Sequence, residues 1–230
     1  MAVICANLAA VRKNIAAAAE RCGRDPGEIE LLAVSKHMDV DAVREAWQCG
    51  QHLFGENFVQ EAGDKIARLD PGITWHFIGH LQSNKAAAAA RLFHMIETVD
   101  RLKVAAALDR HALRLGRVLD ILVQVNTGLE KQKSGVAPEH AGQFLKELAT
   151  LTCLRVRGLM TMPPYSPDPE HSRPFFKLLK ELAEDLRAQK LFADNVHVIL
   201  SMGMSNDFAV AVEEGSTLVR IGTAIFGERT

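Results

Sequence analysis

Eight short runs rich in branched and apolar residues recur along this chain, and between most of them lies a segment with helical spacing that opens on a capping residue. They are ELLAVSK (30–36), HLFGEN (52–57), TWHFIG (74–79), HMIETVD (94–100), LDILVQVN (119–126), LRVRGLM (154–160), NVHVILS (195–201) and STLVRIG (216–222). Strand, helix, strand order repeated throughout implies a parallel α/β sheet. Eight such units in 230 residues match a closed (β/α)8 TIM barrel, usually about 250 residues long. An open doubly wound sheet is the alternative. It would need a G-x-G-x-x-G turn after its first strand to bind a dinucleotide, and that turn here reads SKHMDV.

The helical segments carry their own signals. DAVREAWQCG places Val43, Ala46, Trp47 and Gly50 on one face, RPFFKLLKELAEDLRAQK places Phe175, Leu179, Leu182 and Leu186 on one face, and the alanine run 86–90 reads as a bland helix. MAVICANLAAVRKNIAAAAE is apolar enough to suggest a signal peptide, but Arg12 and Lys13 interrupt its middle. Leu8, Val11, Ile15 and Ala18 form a stripe, so an extra N-terminal amphipathic helix is expected. TMPPYSPDPEHSRP (161–174) holds five of the eight prolines, yet it is short enough for a rigid βα loop. One domain over 1–230 is therefore expected.

Charge narrows the partners. With 27 basic and 28 acidic residues and no long block of either sign, nothing in the chain attracts nucleic acid or an anionic membrane. No apolar run is long enough to cross a bilayer. Cys5, Cys22, Cys49 and Cys153 form no C-x-x-C, so neither a zinc site nor a disulfide framework is suggested, and buried free thiols in a reducing cytoplasm are expected. A monomer is the default.

In such a barrel the reactive groups sit at the C-terminal ends of the strands. Those ends are polar: Lys36; Glu56 and Asn57; His80 with Gln82 and Ser83; Asn126; Met160 and Thr161; Ser201, Gly203, Ser205 and Asn206; Arg220, Gly222 and Thr223. A lone lysine at a strand tip is most often solvated. One rising from a floor of Leu and Val is partly desolvated, which disfavours its ammonium and frees the amine as a Schiff-base nucleophile. SMGMSND and RIGTAIFG follow the seventh and eighth strands, where these barrels commonly cradle phosphate on backbone N–H groups and a helix start, here near Asn206. Either loop alone is adequately explained as a turn; both together, opposite a lysine, suit a phosphorylated aldehyde.

The segments LLAVSK, FGENFVQEAGDKI, WHFIGHLQSNK, TVDRL, KSG, RGLM, SMGMSND and VRIGTAIFGER together resemble, in order and over nearly the whole chain, the YggS/PROSC family of pyridoxal phosphate homeostasis proteins, whose barrel is similar to the alanine racemase N-terminal domain. The resemblance implies that Lys36 holds pyridoxal 5'-phosphate as a Schiff base and that Asn57 lies beside the ring. It also implies that Ser201, Gly222 and Thr223 hold the phosphate with help from the Met204 and Ser205 backbone. His80 borders the same mouth. An arginine at position 220 by the ring nitrogen would disfavour its protonation and weaken the ring as an electron sink. Relatives commonly read lysine, threonine, lysine, proline where this chain has KHMD, so Met38 replaces a second lysine.

Two functional classes follow. The first is a carrier that holds the cofactor and supplies it to apoenzymes, acting on amino-acid metabolism indirectly. The second is an amino-acid racemase, which needs a second acid/base on the opposite face of the cofactor. Alanine racemase draws a tyrosine for this from another domain. Here the chain reaches Thr230 soon after the eighth strand and its only tyrosine is Tyr165, in the proline-rich loop. The carrier is preferred. A Schiff-base aldolase without cofactor shares the barrel, the lysine and the phosphate loops, and would be colourless. His52, His94, His111, His140 and His171 are expected at the surface rather than as ligands.

Overall fold

Parallel strands close on themselves in sequence order, the last pairing back to the first. The protein is described by a computed structural model over residues 2–130 and 132–227. Helix α1 (Ala2–Arg21) precedes β1 (Glu30–Val34), α2 (Val40–Gln48), β2 (Leu53–Glu56), α3 (Val59–Ile66), β3 (Thr74–Phe77) and α4 (Ala86–Leu92). The chain continues through β4 (Met95–Val99), α5 (Leu102–Arg114), β5 (Leu119–Gln124), α6 (Ala141–Leu148), β6 (Leu154–Met160) and α7 (Arg173–Ala188). It ends with β7 (Ile199–Ser201), α8 (Phe208–Glu213), β8 (Leu218–Ile221) and α9 (Thr223–Phe226).

Each strand lies inside one of the eight apolar runs, with one marked difference at β7, which starts at Ile199 rather than 195. The Asp194 carboxylate accepts the N–H groups of Val196 at 2.8 Å and His197 at 3.2 Å, and this local turn displaces ladder bonds. Two helix faces also need correction. Gly50 lies beyond α2, at φ +80 after the Cys49 cap. On α7 the buried stripe is Phe176, Leu179, Ala183 and Leu186, at spacings of three and four, while Phe175 and Leu182 are only half-buried.

Alternation along each strand separates two apolar layers. Ala33, Phe54, Trp75, Phe77 and Ile221 point outward into the shell beneath the helices. Leu32, Val34, Ile78 and Leu218, with Met95, Leu122 and Met160, fill the barrel itself. The N-terminal helix behaves as its stripe requires: Leu8, Val11, Ile15 and Ala18 are buried, each large one contributing roughly 2 kcal/mol of burial, and Asn7 Nδ2 donates to Ile225 O at 2.9 Å.

The expectation of buried free thiols holds for Cys153 alone. Cys5 and Cys49 form a disulfide between α1 and the end of α2, with Cα atoms 5.4 Å apart; Cys22 is exposed and Cys153 buried. Helix packing brings the pair together from 44 residues apart, a separation with no local signature. Among the described residues no helix is long and apolar enough to cross a membrane.

Candidate functional site

The alternation that buries Leu32 and Val34 inside the barrel also turns Ser35 outward and Lys36 inward, over the C-terminal mouth. Lys36 is half-buried in a tight turn closed by Met38 N donating to Ser35 O at 3.0 Å, and His37 takes φ +64. Register then selects its neighbours. Val34 pairs with Gly55, so Lys36 lies level with Asn57, and Ala33 pairs with Ile221, which brings Gly222 and Thr223 alongside. Asn57 is held close to the next strand's loop, since a side chain at Gly79 would meet Asn57 O at 2.2 Å. Its Oδ1 is buried with no hydrogen-bond partner, and such an acceptor calls for a ligand or water.

Beneath the mouth lies a polar layer. Arg220, from β8, is fully enclosed and donates to Ser201 Oγ at 2.6 Å and Thr161 O at 2.8 Å. Ser201 Oγ donates in turn to Glu97 Oε2 at 2.6 Å, and Glu97 Oε1 lies 2.7 Å from His76 Nδ1. Burial holds the Arg220 pKa below the usual arginine range, against the opposing charges of Glu97 and Asp207. The guanidinium nonetheless remains a cation at neutral pH. Sequence reading missed Glu97 and His76, which sit inside apolar runs.

Several expected site residues are already engaged. The Ser201 hydroxyl spends its donor and an acceptor on Glu97 and Arg220 within the barrel, so its side chain faces the polar layer and not an open cradle. Met204 N donates to Asp207 Oδ1 at 2.7 Å, and the helix starts at Phe208, with Asp207 rather than Asn206 at its cap. Gly203 is explained by φ +93 and by α8, because an added Cβ would lie 2.5 Å from that of Ala211. Ser205 and Gly222 are half-buried and Thr223 exposed, on neighbouring loops at the mouth.

His80 is exposed and bridges the rim. Arg101 lies 3.0 Å from its Nε2 and Ser134 Oγ 2.9 Å from its Nδ1. An arginine can only donate, so Nε2 accepts from Arg101 and Nδ1 is paired with the serine hydroxyl. Both ring nitrogens are thus occupied, and His80 joins the loops that carry Arg101 and Ser134 to its own. Glu56 turns outward to Ser35 and Lys65. Asn126 folds back on Glu130, and Met160 belongs to the interior apolar layer. Tyr165 is 82% exposed. His94 Nδ1 accepts from Trp75 N at 3.0 Å, a backbone role.

This arrangement offers an amine, an unpartnered amide oxygen and two hydroxyls around one opening, above a buried cation. The model of the alanine racemase N-terminal domain matches residues 6–230. A pyridoxal phosphate homeostasis protein of Aquifex aeolicus is 42% identical over 98% of both chains. PipY of Synechococcus elongatus PCC7942, solved without and with PLP, superposes with TM-scores of 0.86 and 0.84 at 37% and 36% identity, covering 97% of this chain and 100% of that one. Alanine racemase of Clostridium difficile 630 shares the fold at a TM-score of 0.75 and 16% identity, this chain covering 57% of its length. The chain belongs to the pyridoxal phosphate homeostasis proteins, within the alanine racemase N-terminal domain family.

Proposed function

We propose that the barrel mouth binds pyridoxal 5'-phosphate through Lys36 and that the protein holds and releases this cofactor in vitamin B6 homeostasis without turning over a substrate. The observation that carries the reading is Lys36 directed inward beside Asn57, whose buried amide oxygen has no partner within the protein. The PLP-bound PipY structure supports it from outside. The residues fit the group: an amine for its aldehyde, the Asn57 amide beside the ring, and Ser205, Gly222 and Thr223 at the loops for its phosphate. Bound there, the cofactor supplies an aldehyde that an amine can capture reversibly.

This chain's residues favour retention over catalysis. Arg220, fixed by Ser201 and Thr161, places a cation under the mouth and disfavours a further proton nearby, which weakens electron withdrawal by a pyridine ring. Transfer to apoenzymes and a cytoplasmic location complete the proposal.

The test is the visible spectrum of purified protein with added pyridoxal phosphate, before and after borohydride. A yellow band that borohydride removes, with the reduced adduct mapped to Lys36 and absent in Lys36→Ala, is the expected outcome. Protein that stays colourless overturns the reading and favours a cofactor-free aldolase.

A further inference from the structure

Lys65, on α3, is almost completely buried at 4% exposure, and its ammonium meets three acceptors at 2.7 Å each: Ser35 O, Glu56 Oε1 and Glu61 Oε1. Three acceptors use all three of its protons. Ser35 Oγ donates to the same Glu56 oxygen at 2.7 Å, and His37 N donates to the same Glu61 oxygen at 2.5 Å. The carbonyl just before Lys36 and the N–H just after it are therefore both tied to one buried cluster. The chain turns tightly here, His37 holding a left-handed φ of +64 that a β-carbon disfavours.

Such a turn persists only where its surroundings over-determine it. The charges are consistent with a clamp under load. Burial pushes the Glu56 carboxyl up against the pull of Lys65 and Ser35. Burial would also raise Glu61, but hydrogen bonds from Lys65 and His37 outweigh it and hold that carboxyl below its usual range. None of these groups faces the mouth: strand parity sends Ser35 and Glu56 outward as it sends Lys36 inward.

We propose that Lys65 is a positioning residue for Lys36, clamping the peptide groups on either side of it through Ser35 O and the Glu61 bridge to His37 N, and so fixing the direction in which the Lys36 amine enters the mouth. The inference rests on the reading of Lys36 as the amine that captures pyridoxal phosphate.

Stopped-flow absorbance of cofactor-free protein mixed with pyridoxal phosphate tests it, on wild type, Lys65→Met, Lys65→Arg and Glu61→Ala, each first verified as folded by circular dichroism at the working temperature. Glu61 is partly exposed, so its variant reports even if Lys65→Met does not fold. The expected result is capture slowed at least tenfold in Lys65→Met, several-fold in Glu61→Ala, and partly restored in Lys65→Arg. Amide exchange at His37, read without cofactor, should quicken in Glu61→Ala. A purely structural lysine would lower the melting temperature while leaving capture unchanged below it. Capture within twofold of wild type in a folded Lys65→Met, or in Glu61→Ala with quickened His37 exchange, overturns the proposal alone. Wild-type protein that shows no capture overturns the reading of the mouth, and the clamp's role with it.

Discussion

Arg220 and Glu97 form a buried pair joined through one serine hydroxyl, so removing either member alone leaves the other's charge poorly compensated: Arg220 keeps only the more weakly felt Asp207, and Glu97 only its contact with His76. Arg220→Met should cost about 3–5 kcal/mol, the usual penalty for breaking a buried pair. In the double variant with Glu97→Gln no carboxylate is stranded, and urea unfolding should show a loss smaller than the sum of the singles by at least about 1 kcal/mol. Additive losses would mean that Ser201 does not couple them. At this scale the sequence was legible in the placement of residues at strand ends: register sets Lys36 level with Asn57 and brings Gly222 and Thr223 alongside. It was not legible where a polar residue already has a partner. Nothing in SMGMSND tells that Ser201 is spent on a glutamate 104 residues earlier, or that Met204 N is bonded to Asp207. Glu97 and His76 lie inside apolar runs with nothing local to single them out, since a polar layer inside a barrel is assembled only when strands close.

Among the elements, α1 is held to the barrel both by its apolar stripe and by the Cys5–Cys49 bond at the end of α2. A cross-link closing 44 residues of separation restricts the unfolded chain enough to stabilise by roughly 3–4 kcal/mol in the loop-entropy model. For a chain of this size that corresponds to roughly 6–16 °C. Calorimetry with and without reductant, with Cys5→Ser as the control, should show a drop of that order, and alkylation under denaturing conditions without reductant should label Cys22 and Cys153 alone. Equal melting temperatures would show that the apolar stripe suffices. Strand and helix order was readable because both periods are local. The disulfide, the shortened β7 and the Phe176 side of α7 were not, because each depends on a competitor the pattern omits: helix packing, the Asp194 turn, and the direction in which α7 meets the barrel.

For the whole molecule, the question is whether an inward lysine over a cation makes an enzyme. Racemisation of an amino acid needs a proton removed on one face and returned on the other, so two acid/base groups must flank the cofactor. The described residues provide Lys36 on one side. Of the other candidates, His80 has both nitrogens engaged at the rim, His76 and Glu97 bond one another inside the barrel, and Tyr165 points its ring into solvent at 82% exposure. An arginine beside the nitrogen of a bound pyridine ring, as proposed for Arg220, would also work against carbanion stabilisation. Incubation with L-alanine and a panel of other L-amino acids, followed by chiral chromatography, should give racemisation no faster than the same concentration of free pyridoxal phosphate. Turnover well above that rate and abolished by Lys36→Ala would require a second group to reach the mouth. Tyr165→Phe would then identify it: loss of the rate would show that the proline-rich loop closes over the opening, turning a carrier's rim into an active site.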